Sequence, residues 1–215
     1  MIWYLPSCQF KAAFPDVSAR IQTYLKEKGV SVTGCCKVSQ DNFQPGDTVL
    51  NNCCSCMLIT EEKSPEADVV SLYEYLLQDP DFSWPDLHGE RITVQDCFRA
   101  RDHRSEQEAI REMLRQMNAV PVELKENFEN AAFDGVWLFA PKIPQEKFAP
   151  EAFGEINRNH ITPVPQDQWE QKMKEHAAQY ETDRVACYCN ACLKGVKLGG
   201  ANGVHILELA FPEHI

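Results

Sequence analysis

The side chains of this sequence with the clearest chemistry are its ten cysteines, in a chain of 215 residues. In the first half they occur as Cys8, the adjacent pair Cys35-Cys36, and a Cys53-x-x-Cys56 motif. Each group follows a short run of β-prone residues that predicts a strand. Because the carboxyl ends of parallel strands meet at one edge of an α/β sheet, we expect these five thiols to lie together. Soft thiolates in such numbers bind zinc or iron–sulfur clusters.

The adjacent Cys35-Cys36 pair favours iron over zinc. Both sulfurs of neighbouring residues would have to turn toward one ion in a tetrahedral zinc site, which is awkward. Three other interpretations stay open. These are a zinc site at the same place, a set of buried reduced cysteines that pack as small apolar residues, and a cluster-free dithiol enzyme that uses Cys53 and Cys56.

A second set of cysteines lies in the other half of the chain, at Cys97, Cys187, Cys189 and Cys192. Four thiols suit a tetrathiolate zinc site or a cubane cluster, and the alternative is that they bind nothing. The positions aligned with the Cys-Cys pair are about Lys125 and Glu126, which offer no sulfur. We therefore expect Cys187 to replace what the missing pair supplies.

Cys54 falls outside both patterns. It stands between two expected ligands, and we expect it to be a bystander thiol or a residue on the substrate side of the site. The sequence assigns it no further role.

The two halves of the chain repeat one pattern of strands and helices, which predicts an α/β fold of two pseudo-symmetric lobes that arose by internal duplication, each with a small, mostly parallel sheet. Two prolines and a glycine in residues 78–90 indicate the boundary, so the lobes are expected at residues 1–89 and 90–215. An insertion is expected at about residues 140–183. The periodicity also predicts a helix over residues 65–78 and a strand over residues 135–139, and the repeat matches residues 46–50 to residues 134–138.

Composition excludes some classes of partner. The formal net charge is −11, and a field of that sign repels a phosphate backbone, so no nucleic acid is expected. No apolar stretch approaches the roughly 20 residues of a membrane span. The start Met1 to Cys8 lacks the basic segment of an export signal, and we expect a cytoplasmic protein. In a reducing compartment, ten cysteines serve metal or redox chemistry rather than disulfides.

The cysteine pattern resembles the cysteine-rich CCG domain found in heterodisulfide reductase and in related redox proteins. The residues that carry the resemblance are Ser7-Cys8, Gly34-Cys35-Cys36 and Asn52-Cys53-Cys54-Ser55-Cys56. That family is a tandem of two such modules, and Gln95-Asp96-Cys97 looks like the opening of the second. The resemblance therefore extends over nearly the whole chain.

This resemblance implies a [4Fe–4S] cluster of noncubane type, held by Cys8, Cys35, Cys36, Cys53 and Cys56. It also implies electron transfer to, or reductive cleavage of, a small disulfide or thiol substrate, beside other redox subunits. The chain departs from the family in its shorter intervals, in Lys37 where a glycine is common, and in a second module that lacks two ligands. A non-catalytic zinc scaffold or redox sensor is the rival interpretation.

Other polar residues near the cysteines carry weaker expectations. Arg99, Arg101 and Arg104 follow Cys97 and could attract an anionic thiol or stabilise a reduced cluster. A solvated helix start explains them equally well. His103 in the same segment is a proton donor, an alternative ligand or, as is more common for such a residue, a solvated side chain.

Overall fold

The first lobe is built on a parallel sheet of four short strands. The structure is a computed structural model that describes residues 1–39 and 43–213. Strand β1 (Ile2–Leu5) is central and pairs with β2 (Ser31–Val32) on one side and β3 (Thr48–Asn51) on the other, and β4 (Asp68–Ser71) pairs with β3. The order is therefore β2-β1-β3-β4. Buried Tyr4, Leu5, Val49 and Leu50 are typical of a parallel sheet that is covered on both faces.

The second lobe repeats this arrangement. Its strands are β5 (Arg91–Gln95), β6 (Val120–Val122), β7 (Arg184–Cys187) and β8 (Gly203–His205), in the order β6-β5-β7-β8. All pairings are parallel. The predicted α/β fold of two pseudo-symmetric lobes with small parallel sheets is confirmed.

Helices connect and cover these strands. In chain order they are α1 (Cys8–Ala13), α2 (Pro15–Glu27), α3 (Cys54–Lys63), α4 (Leu72–Gln78), α5 (Arg104–Gln116), α6 (Pro150–Asn159), α7 (Trp169–Ala177), α8 (Asn190–Leu198) and α9 (Ile206–Ala210). The helix after β4 and the helix after β8 begin in the same way. In α4, Ser71 and Glu74 form a capping box, and in α9 His205 and Glu208 do so.

Two predicted elements are wrong. Residues 65–78 do not form one helix, because the β-branched pair in Asp68–Ser71 extends the sheet and the capping box at Ser71 starts the helix only at Leu72. Residues 135–139 are not a strand. A short 3₁₀ turn occupies Gly135–Trp137, and Gly135 adopts a φ of 56° while its Cα faces the backbone of Ala191.

The strand that matches β3 is therefore β7 and not residues 134–138. The connection between β6 and β7 covers residues 123–183 and carries α6 and α7. The linker between α4 and β5 covers residues 79–90. The division of the chain into residues 1–89 and 90–215 stays a prediction.

The two lobes share one apolar core. Buried Tyr4, Leu72 and Tyr73 from the first lobe belong to the same cluster as Tyr188 and Ile206 from the second. The Tyr73 hydroxyl donates a hydrogen bond of 3.1 Å to the backbone oxygen of Tyr188. The contact between lobes thus lies directly beneath the rim where the cysteine loops emerge. None of the helices in the described ranges has the length and apolarity to cross a membrane.

Candidate metal centre

Five cysteines of the first lobe lie at the carboxyl ends of its three consecutive strands. Cys8 opens α1 after β1, Cys35 and Cys36 lie in the loop after β2, and Cys53 and Cys56 flank the start of α3 after β3. We call this set the five-cysteine pocket. The parallel sheet brings the three loops to one rim, as the sequence predicts.

A hydrogen bond joins two of these loops directly. The backbone N–H of Ser7 donates to the side-chain oxygen of Asn52 at 3.1 Å, and the Ser7 hydroxyl accepts from the N–H of Phe10 to cap α1. Because Ser7 precedes Cys8 and Asn52 precedes Cys53, these bonds fix the separation of the two cysteines. The turn after β1 is therefore set before any ligand binds.

The sulfurs of the five-cysteine pocket form an open string. Side-chain interactions between thiols link Cys8 to Cys35, Cys35 to Cys36, Cys36 to Cys56 and Cys56 to Cys53. Cys8 is exposed, Cys35 and Cys53 are half-buried, and Cys36 and Cys56 are buried. The string thus runs from the surface into the lobe.

Two positions in this string favour the thiolate. The pKa of Cys53 is lowered to about 6, chiefly because the Cys56 thiol donates a hydrogen bond to its sulfur. The interaction with the Cys56 thiol likewise lowers the pKa of Cys36, and the pKa of Cys56 itself is raised well above the usual value, chiefly by its interactions with Cys36 and Cys53. Thiolates are the forms that bind metal and attack disulfides.

A cleft opens beside these thiols and encloses about 70 Å³. A single water needs roughly 10–15 Å³, so the cleft has room for several atoms. Its wall includes Trp137, Lys194 and Arg99. Asn190 also lines the cleft, is 7% exposed, and has no hydrogen-bond partner for its amide among the described residues. The wall therefore offers cationic groups and an unpaired amide to a ligand.

A second set of cysteines lies at the contact between the lobes. The sulfurs of Cys54, Cys97 and Cys189 all lie within 4.8 Å of one another. Cys192 forms hydrogen bonds with Cys97 and Cys189. We call these four the buried cysteine group, since their exposed fractions run from 0% to 6%. Its geometry is compatible with metal binding.

Hydrogen bonds in the buried cysteine group converge on one sulfur. The pKa of Cys189 lies well below the usual value because interactions with the thiols of Cys192, Cys54 and Cys97 favour its charged form, that of Cys192 foremost. The pKa of Cys97 is raised to about 12, with the interaction with Cys189 as the leading cause.

Cys54 is the residue that sequence reasoning missed. It is the first residue of α3, so its side chain leaves the helix in a different direction from those of Cys53 and Cys56, its neighbours in the chain. Cys54, expected to be a bystander thiol or a residue on the substrate side, has its sulfur within 4.8 Å of those of Cys97 and Cys189. In the segment Cys53-Cys54-Ser55-Cys56, the first and last cysteines belong to one set and the middle cysteine to the other, and no periodicity in the sequence indicates this division.

Cys187 ends β7 and pairs in register with Gln95, as Asn51 pairs with Leu5 in the first lobe. Cys187 is thus the counterpart of Asn51 in the fold. Within the described residues, Cys187 and Cys192 both stand outside the three mutually close sulfurs, but Cys192 interacts with Cys189 and Cys97. The role of Cys187 as a ligand stays a prediction.

Arg99 connects the two sets of cysteines. Its side chain is 1% exposed and pairs with buried Asp134 at 2.8 Å, and its guanidinium also donates to the hydroxyl of Ser55, which lies between Cys54 and Cys56. Burial raises the pKa of Asp134 to about 6 despite this arginine. Of the three arginines after Cys97, Arg99 is the one that faces the cysteines.

The other polar residues of that segment form ion pairs. Arg101 pairs with Glu155 at 3.3 Å, and Arg104 with Glu108 at 2.8 Å. The His103 ring lies 2.6 Å from Glu61, and the hydrogen bond to that carboxylate raises the pKa of His103. His103 is therefore partly buried and paired, unlike the solvated residue considered from the sequence.

A buried polar network holds Cys97 in place. Arg111 is 2% exposed and contacts the carboxylates of Asp96 at 2.6 Å and Glu123 at 2.7 Å. The Tyr188 hydroxyl donates a hydrogen bond of 3.0 Å to the Asp96 carboxylate. The same hydroxyl oxygen accepts a hydrogen bond of 3.2 Å from the backbone N–H of Cys97. A chain of hydrogen bonds thus runs from α5 to the cysteine after β5.

Replacing Arg111 by methionine is expected to lower the free energy of unfolding by about 3 kcal/mol, because the buried Asp96 carboxylate loses its counter-charge. Urea denaturation followed by circular dichroism measures the loss. The control is Arg115→Met on the same helix, whose exposed ion pair with Glu112 contributes less than about 1 kcal/mol. Equal losses in both variants would show that the network does not stabilise the fold.

Comparisons with known proteins add no identification. No protein-family model, curated protein or solved structure matches this chain. The function must therefore be argued from the geometry of the cysteines.

Proposed function

We propose that this protein is an iron–sulfur redox protein whose cluster is bound by Cys8, Cys35, Cys36, Cys53 and Cys56. The observation that carries the proposal is the convergence of three loops, separated in the chain, on one string of contacting thiols. Thiolates are the ligands of iron–sulfur clusters, and the lowered pKa values of Cys36 and Cys53 favour the ligating form. The donor set thus fits such a cluster.

The shape of the five-cysteine pocket supports a cluster over a single ion. Its contacts run from one thiol to the next, and none of these five sulfurs belongs to a mutually close set within the described residues, so they do not converge on a single ion. By its resemblance to the CCG module, the group it binds is a [4Fe–4S] cluster of noncubane type. Such a cluster supplies single electrons.

The cleft beside the pocket supports a small substrate. Exposed Cys8 leaves the pocket accessible from outside, while Lys194 and the unpaired amide of Asn190 offer contacts to an anionic or polar group. We propose that the substrate is a small disulfide, whose S–S bond is broken when two electrons and two protons are taken up to give two thiols. The electrons come from a partner redox subunit, as the resemblance implies.

One observation favours a second function, a cluster-free dithiol–disulfide oxidoreductase. Cys53 and Cys56 form a Cys-x-x-Cys pair at the start of α3, and the pKa of Cys53 is lowered to about 6 by the hydrogen bond from Cys56. Reactive cysteines of disulfide oxidoreductases share these features. Disulfide reduction that persists after complete removal of iron would favour this alternative.

The test is purification under strict anoxia, followed by iron and sulfide analysis and low-temperature paramagnetic resonance. We expect a brown protein with about four irons per chain at the five-cysteine pocket. Paramagnetic resonance of oxidised and reduced samples reports the cluster type. A colourless protein without iron or sulfide, folded by circular dichroism, would overturn the proposal.

A further inference from the structure

The buried cysteine group has the geometry of a site for a single ion. Three sulfurs, those of Cys54, Cys97 and Cys189, are mutually within 4.8 Å, and Cys192, which stands outside that set, interacts with Cys189 and Cys97. Four thiolates at about 2.3 Å from a tetrahedral zinc ion stand about 3.8 Å from one another. In a cubane cluster each cysteine binds a different iron, so its sulfurs lie further apart. The compact spacing therefore fits one ion.

The identity of the ion follows from the donor set. A tetrahedral set of four sulfurs is typical of zinc or of iron–sulfur clusters, and the spacing disfavours a cluster. We infer that the buried cysteine group binds one zinc ion, with Cys54 of the first lobe and Cys97, Cys189 and Cys192 of the second as its four ligands. This inference does not rest on the function proposed for the five-cysteine pocket.

The surroundings of the group are those of a structural zinc site. Structural zinc has four protein ligands and no open position, and here Cys54, Cys97 and Cys192 are at most 1% exposed, while Cys189, which also lines the cleft, is 6% exposed. Zinc binds thiolates, so each ligand that is a thiol releases its proton to solvent on binding. Buried Arg99, whose charge also lowers the pKa of Cys189, offsets part of the negative charge that remains.

The proposed ion joins the lobes. Cys54 belongs to α3, whereas Cys189 and Cys192 flank the start of α8 and Cys97 follows β5. Zinc would thus fix α3, which carries Cys56 of the five-cysteine pocket, against the second lobe. The second lobe has no adjacent Cys-Cys pair, and in the proposed site Cys54 of the first lobe supplies the fourth thiol.

Zinc X-ray absorption on the anaerobically purified wild-type chain tests the ligand set directly, since the method is element-specific and tolerates iron in the same sample. We expect about one zinc per chain with four sulfur neighbours at about 2.3 Å. Absence of zinc from protein grown with adequate zinc, or nitrogen or oxygen among its ligands, would overturn the inference.

Paired variants test which thiols bind the ion. Cys54→Ala is expected to reduce zinc at least tenfold. Cys187→Ala, a buried cysteine outside the group, should keep it. Zinc that is retained in Cys54→Ala, or lost in Cys36→Ala instead, overturns the inference. Should Cys54→Ala fail to fold, the wild-type absorption spectrum decides alone.

Iron measured in the same samples keeps the two proposals apart. Iron-free protein with sulfur-bound zinc contradicts the proposed function and supports the zinc site. Iron-loaded protein without zinc supports the proposed function and contradicts the zinc site.

Discussion

Cys56→Ala is expected to remove the iron of the five-cysteine pocket, with at least a tenfold drop in iron per chain after anaerobic purification. Cys56 is 5% exposed, and its thiol is the one that contacts both Cys36 and Cys53. Its loss interrupts the string at the junction of two loops. Mutation of a residue that only hydrogen-bonds to a metal ligand typically lowers metal affinity 10–100-fold. Removal of a ligand itself should therefore lower the affinity for iron at least as much. Iron analysis and visible absorption measure the effect.

The matched control for this variant is Cys187→Ala. Cys187 is equally buried, but it ends β7 and stands apart from the pocket. Iron should remain at the wild-type level there. If Cys56→Ala kept its full iron content and its paramagnetic resonance signal, Cys56 would not be a ligand and the five-thiol assignment would fail.

Glu106→Gln is expected to remove a large pH dependence from the stability of the fold. Glu106 is 0% exposed, its two carboxyl oxygens have no hydrogen-bond partner among the described residues, and burial raises its pKa to about 8. The folded protein therefore holds a proton that the unfolded chain releases near pH 4.5. Stability should fall by about 1.4 kcal/mol per pH unit from there to about pH 8, and the glutamine variant should lack this slope.

Thermal unfolding midpoints of both proteins between about pH 5 and pH 9 check this expectation. The variant should unfold at a higher temperature than the wild type at about pH 8, with each kcal/mol worth roughly 2–4 °C. Glu108→Gln on the same helix is the control, since that side chain is 61% exposed. Parallel pH profiles for wild type and Glu106→Gln would show that Glu106 is already ionised in the folded state.

The sequence predicted the architecture because its signals are local. Alternating strand and helix patterns, the glycine at position 29 that follows α2 and the repeated Cys-x-x-Cys pair each require only a few neighbouring residues. The five-cysteine pocket followed from one topological rule about the carboxyl ends of parallel strands. The strand expected at residues 135–139 failed because Gly135 packs against the backbone of α8, a distant contact that overrides local β propensity.

The membership of the buried cysteine group could not be read from the sequence. Cys54 and Cys189 are far apart in the chain, and only the packing of one lobe on the other brings their sulfurs together. The choice between Cys54 and Cys187 depends on the direction of each side chain. That direction is set by the start of α3 and by the register of β7 against β5.

Cys53 and Cys54 are adjacent in the chain, yet Cys53 interacts with Cys56 of the five-cysteine pocket and the sulfur of Cys54 lies within 4.8 Å of those of Cys97 and Cys189. One peptide bond therefore joins the two sets of cysteines. A cut in the linker at residues 79–90 would place Cys54 on one fragment and Cys97, Cys189 and Cys192 on the other. The carboxyl-terminal fragment alone would then lack one of the four sulfurs proposed to bind zinc.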